Sequence, residues 1–479
     1  MLWRKQTRYC AVVSDPSLCF CPLMISKAIR RYLDHYAEPI ARMIQVEWLS
    51  ALDQTYQYVL VLPLFDEALD CLESILPNST HHTLVVAVVN ASEDANRAEI
   101  QRTQAFLAQF QPHPQLPFTV VNNPSGNTLL LIDCCTSSRQ LPPKQGVGLA
   151  RKIGSDIALA CIAAQTIQTP WIYCSDGDVQ LPEDYFATPN FGPDVAVAIY
   201  PFRHHPHHPD ILEYEISLRY YVLGLAQAGS PYAFQTIGSL LKINAEHYAK
   251  VRGFPKRQAA EDFYMLNKLA KTGQVIRLKQ PTVVLSSRLS HRVPFGTGAA
   301  MVKLSQDPGF HLYHPQIFGE LQRWLALEQH LWQGLRPHAF PDVTMSFQAW
   351  WQQQHLAPSL LETLLHLKVD QALQQAFQQC QDFPHFQFYL RVWFDAFRTL
   401  KFVHYQRDHY WPSLPIPEAI TLFKGSNLCN FSQRPPHSLP VSHQELQPSS
   451  PKILDIMQEL CTLELQLPTY VGPTQSLTP

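Results

Sequence analysis

Two aspartates follow an apolar segment of the sequence and are separated by a single glycine. The segment WIYC (171–174) has the length and composition of a buried strand, and Asp176 and Asp178 come just after it. Paired carboxylates at a strand end supply the oxygen ligands that Mg²⁺ and Mn²⁺ prefer, and a cation held there would neutralise a diphosphate. The same residues also fit a simple Asx-type turn, so the pair alone leaves both interpretations open.

A second acidic pair, Glu261 and Asp262, opens the segment EDFYMLNKLAKTG (261–273), whose apolar spacing predicts a helix. A carboxylate at this place can act as a general base, but acids also occur at helix starts because the helix dipole favours them. The preceding GSLLKINAEHYAKVRGF (238–254) combines glycine turns with an apolar strand. This segment either shapes a pocket or is only a supersecondary unit.

The elements that must position these acids alternate between strand and helix patterns. Such alternation predicts an α/β fold, with a mainly parallel sheet covered by helices on both faces. In open sheets of this kind, ligands bind beyond the carboxyl ends of the strands, so the residues after Val61, Val89 and Cys174 should surround the site. The segments predicted as strands are YVLVLPLF (58–65), TLVVAVVN (83–90), TLLLID (128–133) and WIYCSDGD (171–178).

From about residue 310 the strand pattern gives way to apolar residues at helical spacing, beginning with Leu321, Trp324 and Leu325. We therefore expect an all-helical C-terminal module, followed by a Pro-, Ser- and Gln-rich tail with one short helix that starts near Ser450. The expected organisation is an N-terminal lead-in over 1–54, an α/β domain over 55–305, the helical module over 306–410 and the tail over 411–479.

Charge and hydrophobicity limit the classes of partner. The 37 Lys and Arg residues against 39 Asp and Glu give a formal net charge of −2, which argues against a nucleic-acid partner. No stretch reaches the roughly 18 uninterrupted apolar residues that a spanning helix needs. The opening MLWRKQTRYC also lacks the apolar region of a signal peptide. We expect a cytoplasmic protein without a transmembrane segment.

Seven short motifs occur in the order and on the elements found in one enzyme family. With them, residues from about 55 to 300 resemble the family 2 glycosyltransferases of the GT-A fold. The resemblance implies a GT-A type mainly parallel sheet flanked by helices, and transfer of a sugar from a nucleotide-diphosphate sugar to an acceptor hydroxyl. The motifs are PLFDE (63–67), VVNAS (88–92), GLAR (148–151), SDGD (175–178), GS (238–239), RGF (252–254) and ED (261–262).

The resemblance also assigns roles to individual residues. Asp176 and Asp178 would anchor Mg²⁺ or Mn²⁺, with His291 as a third ligand. Asp262 would act as general base in an inverting transfer, with Glu261 taking that role or orienting it. The residues expected to contact the nucleotide-sugar donor are Pro63, Glu67, Asn90, Gly148, Arg151, Asp176, Arg288 and Arg292.

Three features leave the substrates open. Asn90 stands where the family usually has an acid that contacts the nucleotide base. The donor nucleotide therefore stays open between UDP and GDP. The segment SSRLSHRVPFGTG (286–298) resembles a loop that closes over the diphosphate, but it also fits a solvated basic loop. The acceptor hydroxyl is not identified by any motif, and transfer at a membrane surface remains compatible with the sequence.

Two competing functions are considered. A nucleotidyltransferase on a related sheet normally has a glycine-rich basic loop after the first strand, whereas PLFDEAL (63–69) is acidic and contains no glycine. A non-catalytic GT-A-like scaffold, with the helical module serving a partner protein, would not need Asp176, Asp178 and Asp262. Both hypotheses are less consistent with these residues than a glycosyltransferase.

Overall fold

The structure is a computed structural model that describes residues 25–43, 52, 54–75, 82–111, 118–122, 126–205, 210–288, 309–425 and 451–473. The strands, numbered β1 to β13 in chain order, are Tyr58–Leu64, Thr83–Asn90, Phe118–Asn122, Thr128–Cys134, Trp171–Cys174, Val195–Ile199, Phe202–His204, Leu241–Asn244, Gln274–Arg277, Val283–Leu285, His311–Leu312, Leu414–Pro415 and Tyr470–Val471.

The helices, numbered α1 to α17, are Lys27–His35, Pro39–Arg42, Asp70–Ile75, Arg97–Leu107, Gly146–Ala163, Ile211–Gln227, Ala245–Lys250, Glu261–Leu269, Pro315–Ala326, Glu328–His330, Val343–Gln353, Pro358–His366, Val369–Gln379, Phe383–Trp393, Ala396–His409, Ile416–Gly425 and Pro451–Gln466. Short 3₁₀ turns lie at Gly238–Leu240 and Arg336–His338, and a π turn lies at Leu331–Leu335.

Nine strands form one sheet in the order β13-β9-β6-β8-β5-β1-β2-β4-β3. Strands β1, β2, β4, β5, β6 and β9 run in one direction, whereas β3, β8 and β13 run against their neighbours. Because β8 is antiparallel to β5, the start of β8 lies at the edge where β5 ends. This edge therefore collects the segments that follow β1, β2 and β5 and the segment that precedes β8.

Helix α5 is buried along most of its length, and most of its residues are apolar or small. One face packs on the sheet, and α1 and α2 cover the other. Lys152 and Asp156 of α5 are satisfied inside this contact: Lys152 Nζ lies 2.8 Å from Asp156 Oδ2, and the Tyr32 and Tyr248 hydroxyls donate to Asp156 Oδ1. Because Pro39 cannot continue a helix from its preceding residues, α1 and α2 are separate helices.

A second apolar core lies among the helices of the C-terminal region, as the loss of the strand pattern predicts. Helix α6 belongs to this core although it lies between β7 and β8 in the chain. Its Gly224 faces the ring of Phe318 on α9 so closely that a Cβ would overlap that ring. The fold class expected from the sequence is confirmed, while the domain boundaries at 54, 305 and 410 stay a prediction.

The C-terminal segment 451–473 contacts both cores. Helix α17 packs on α6, where the Glu464 carboxylate accepts hydrogen bonds from Arg219 and Gln235. Strand β13 then pairs with β9 at the sheet edge, with Val471 opposite Val275. A helix near Ser450 was expected and is found as α17, whereas α16 and the two-residue β13 were not expected. The short antiparallel pair of β11 with β12 also departs from the all-helical C-terminal module that the apolar spacing predicts, since two-residue strands leave no pattern in a sequence. Among the described helices, none has the length and apolar character needed to cross a membrane.

We predict that Gly154→Ala lowers the stability of the protein. Alanine would favour the helix by about 0.5–1 kcal/mol, but its Cβ would lie 2.5 Å from Val61 Cγ1 of β1, and such overpacking costs about 1–3 kcal/mol. The midpoint of urea-induced unfolding should therefore fall. Gly192→Ala is the matched control, since its Cβ would meet nothing within 4 Å, and an equal fall in both variants would contradict the prediction.

Candidate functional site

The two acid-bearing segments after β1 and β5 touch at the sheet edge. The backbone N–H of Ser175 donates to the carbonyl of Val61 at 3.1 Å, which continues the β1–β5 pairing beyond the strand. Gly177 then lies against β1, because a Cβ there would lie 2.7 Å from Leu64 Cδ2 and 3.0 Å from Glu67 Cγ. The glycine of the Asp-Gly-Asp motif thus allows Glu67 to approach both aspartates.

Arg151 lies at the centre of the site and joins two of its acidic segments. Its guanidinium donates through Nη1 to Glu261 Oε1, at the start of α8, and through Nη2 to Asp176 Oδ1, after β5. The Arg151 and Glu261 side chains are 5% and 3% exposed, whereas Asp176 is 33% exposed. Arg151 therefore holds the first helical turn of α8 against the Asp-Gly-Asp segment, and only Asp176 of the three reaches solvent to a substantial degree.

Gly238 makes room for this ion pair. A Cβ at position 238 would overlap the Arg151 guanidinium, so no other residue fits here without displacing it. The sequence indicates this residue only as part of the GS motif, without a role. Gly238 lies in the 3₁₀ turn just before β8, and a glycine beside a strand can mark the close approach of another group.

Asp262 is partly buried beside the same guanidinium. Its Oδ1 accepts the backbone N–H of Phe263 at 2.7 Å. Ala260, which precedes the acidic pair, has a φ of 59°, a left-handed conformation that is strained for alanine. The acidic pair therefore starts α8 at a defined and costly backbone turn.

The charges of this cluster influence one another. Burial raises the pKa of Glu261 and of Asp262, and Arg151 opposes the rise by stabilising both charged forms. For Arg151, burial lowers the pKa, but Asp176, Glu261 and Asp262 outweigh burial and hold its pKa above the usual range. The guanidinium stays charged, and the two carboxyls of α8 bind protons more readily than ordinary carboxyls.

Arg288 joins the other two carboxylates of the site. Its Nη1 donates to Glu67 Oε2 at 2.8 Å, its Nη2 donates to Glu67 Oε1, and its Nε lies 2.8 Å from Asp178 Oδ2. The sequence predicts a contact between Arg288 and donor phosphate. In the structure its partners are carboxylates of the segments that follow β1 and β5.

Pro63, Asn90 and Gly148 lie in the framework around these carboxylates. Pro63 is a buried residue of β1, opposite Val88 of β2. The Asn90 side chain donates through Nδ2 to the carbonyls of Leu64 and Val88, at 3.2 and 3.1 Å, and so ties the end of β2 to the end of β1. Their predicted contacts with a donor stay predictions.

Gly148 is needed by the loop that precedes α8. A Cβ at this position would lie 2.5 Å from the Pro255 and Arg257 carbonyl oxygens, and its own N–H donates to the Arg257 carbonyl at 3.0 Å. The close contact fixes the first turn of α5, which carries Arg151, against the segment that leads to Glu261. A donor contact at Gly148 also stays a prediction.

The expected third metal ligand, His291, and the second phosphate-binding arginine, Arg292, lie outside the described residues. Within the described ranges, no three or more His, Cys, Asp or Glu side chains are grouped as a metal-binding cluster. Asp176 and Asp178 are nevertheless close together and partly exposed, at 33% and 27%. Two carboxylates suit Mg²⁺ or Mn²⁺, which usually take one or two protein carboxylates together with water and substrate phosphates.

No protein-family model matches the chain, and no curated protein matches it. Similar solved structures include mannosyltransferase PcManGT from Pyrobaculum calidifontis in complex with GDP-Man and Mn²⁺, at 14% identity over 91% of each chain with a TM-score of 0.29. Another is S. aureus TarS in complex with UDP-GlcNAc, at 10% identity over 70% of this chain and 90% of that chain, with a TM-score of 0.29.

A third is glucosyl-3-phosphoglycerate synthase from Mycobacterium tuberculosis in complex with Mn²⁺, UDP and glucosyl-3-phosphoglycerate. It is 14% identical over 57% of this chain and 89% of that chain, with a TM-score of 0.28. Identities and TM-scores this low carry no argument about activity.

We predict that Arg151→Met destabilises the protein in a pH-dependent way. The change leaves Glu261 buried without its cation, which costs about 3–5 kcal/mol. Because the pKa values of Glu261 and Asp262 are already raised and rise further without Arg151, the loss should be largest above those pKa values and shrink as the pH falls through them. Urea-induced unfolding of the parent and the variant measures the loss in the free energy of unfolding at about pH 8.5 and at about pH 5.

The control for this prediction is Arg139→Met, which breaks an exposed ion pair with Asp133. Its effect should stay within about 0.5 kcal/mol at both pH values. An equal loss for Arg151→Met at the two pH values would show that the carboxyl charges are not its cause.

Proposed function

We propose that this protein is a glycosyltransferase of the GT-A fold that transfers a sugar from a UDP- or GDP-linked donor to an acceptor hydroxyl, with inversion and with a divalent metal ion. One observation carries the proposal. Five carboxylates from three separate segments meet at the sheet edge beyond β1 and β5, with two arginines among them. The carboxylates are Glu67, Asp176, Asp178, Glu261 and Asp262.

The metal assignment is supported by the exposure of the carboxylates. Asp176 and Asp178 are the two that would hold Mg²⁺ or Mn²⁺, since each is about one-third exposed, whereas Glu67 and Glu261 are nearly inaccessible. The ion would supply positive charge against the leaving nucleoside diphosphate. Arg151 donates to Asp176 Oδ1 and so orients this carboxylate.

Asp262 is assigned as the general base for the acceptor hydroxyl. A carboxylate whose pKa is raised by burial takes a proton more readily, and the N–H of Phe263 donates to this side chain. Glu261 is a positioning residue, because its Oε1 is occupied by Arg151. The sequence leaves the two roles open, and this contact favours Asp262 as the base.

We predict that UDP or GDP binds only with Mn²⁺ present, and that Asp178→Ala weakens this binding by at least about tenfold. The alanine removes one of the two carboxylates assigned to the metal, so the diphosphate loses its bridging cation. Calorimetric titration of each nucleotide, with and without Mn²⁺, measures the effect. Asp408→Ala, an exposed aspartate of α15, is the control and should bind as the parent does.

Failure of both nucleotides to bind, with and without Mn²⁺, would contradict the transferase assignment. It would favour the non-catalytic scaffold, whose acidic cluster would then be structural. Binding that is independent of Mn²⁺ would leave the nucleotide site in place and remove the metal from the proposal.

We predict that Asp262→Asn lowers turnover by about 10²- to 10⁴-fold while nucleotide affinity is retained, because asparagine keeps the shape of the side chain but cannot accept a proton. Release of nucleoside diphosphate from UDP- and GDP-sugars, with water as the acceptor, measures turnover without knowledge of the natural acceptor. Asp408→Asn is the matched control.

Two results would contradict the role of Asp262. One is a loss of nucleotide affinity in Asp262→Asn with unchanged turnover. The other is a released sugar that first appears, by NMR, with the anomeric configuration of the donor, since a base at Asp262 acts in a single inverting displacement.

A further inference from the structure

Arg288 occupies a position between two acids that belong to different strands. The guanidinium contacts Glu67, after β1, through both Nη atoms, and it contacts Asp178, after β5, through Nε at 2.8 Å. Its side chain is 37% exposed, so it is not part of either apolar core. A single cation thus joins carboxylates of two segments, which is the task that a divalent cation performs in an oxygen-ligand site.

The other arginine of the site does not share this task. Arg151 is committed to Asp176 and Glu261, and it is almost inaccessible to solvent. Arg288 is the cation that pairs with both Glu67 and Asp178 among the described contacts.

The same contact conflicts with a metal ion at Asp178. A divalent cation on this carboxylate would face the Arg288 guanidinium, whose Nε is 2.8 Å from Oδ2. Like charges at such separations repel by several times RT at the dielectric constants of protein surfaces. The two cations therefore compete for Asp178.

We propose that Arg288 is a resident counter-cation that gives up Asp178 when the metal–nucleotide complex binds, so that metal alone binds weakly and metal and nucleotide bind cooperatively. This inference rests on the proposed function. It adds to that function a reason why the metal binds weakly without the nucleotide.

The structure also indicates which contact breaks. Glu67 is 8% exposed and pairs with both Nη atoms of Arg288, whereas Asp178 is 27% exposed and meets Arg288 through Nε. Bidentate arginine–carboxylate pairs are the stronger kind. The Glu67 pair is retained, and the guanidinium freed from Asp178 stays at the site as a partner for diphosphate oxygens.

The test is Mn²⁺ binding to the full-length protein and to Arg288→Gln, measured from the electron paramagnetic resonance signal of free Mn²⁺. Glutamine removes the charge but keeps a hydrogen-bonding side chain near Glu67. Arg288→Gln should bind Mn²⁺ alone more tightly, within the about 5- to 150-fold range usual for coupled sites. In the parent, UDP or GDP raises Mn²⁺ affinity partly by drawing Arg288 away from Asp178. In Arg288→Gln this increase should therefore be smaller.

The matched control is Arg102→Gln. Arg102 also forms a bidentate pair with a carboxylate, that of Asp66, the residue before Glu67, but its side chain is 59% exposed and it contacts neither Glu67 nor Asp178 in the described hydrogen bonds. It should bind Mn²⁺ as the parent does. If Arg288→Gln fails to fold by circular dichroism, Arg288→Met replaces it, since methionine also removes the charge that competes for Asp178 and should tighten Mn²⁺ binding.

Unchanged or weaker Mn²⁺ binding by the folded Arg288 variant would overturn the inference, as would equal tightening in Arg102→Gln. If nucleotide still binds with Mn²⁺ in that case, the proposed function stands without the inference. Tighter Mn²⁺ binding by Arg288→Gln supports the competition for Asp178. If Arg288→Gln binds Mn²⁺ more tightly but the protein binds neither UDP nor GDP, the competition for Asp178 is supported and the proposed function is contradicted.

Discussion

The buried ion pairs of Arg151 are the interaction on which the site depends. Arg151 projects from a helix packed on the sheet, and it holds Asp176 and Glu261 from opposite sides. A guanidinium taken out of water is costly unless carboxylates surround it, and these carboxylates are equally costly without the guanidinium. The pairs therefore make α5, the end of β5 and the start of α8 one electrostatic unit, in which no member can move without leaving an uncompensated charge.

Glycines allow this unit to be so compact. Gly177 brings the Asp-Gly-Asp segment against β1, Gly238 leaves room for the guanidinium, and Gly148 lets the loop before α8 rest on α5. The reversed direction of β8 is equally necessary, since it places Gly238 beside the end of β5. The acids supply the charge of the site, and the glycines, which have no side chain, allow its segments to approach one another closely.

The fold class follows from the sequence because β1, β2, β4 and β5 are apolar runs that end in, or are closely followed by, an acid or amide, and helical patterns separate them. The direction of β8 does not follow, since LKIN has no feature that distinguishes an antiparallel central strand. The acids were identified from their spacing, but the partners of Arg151 and Arg288 were not. Glu261 lies 110 residues from Arg151 and Glu67 lies 221 residues from Arg288, and short-range patterns carry no information about such pairs.

Strand β13 has a consequence for how the protein is made. It pairs with β9, which lies about two hundred residues earlier in the chain. At ribosomal rates of about 5–20 residues per second, β9 would wait about 10–40 s for this partner. An unpaired strand edge is a template for pairing with other chains. The nascent sheet therefore passes through a period of vulnerability to misassociation, during which the second core is synthesised and a chaperone would have its greatest effect.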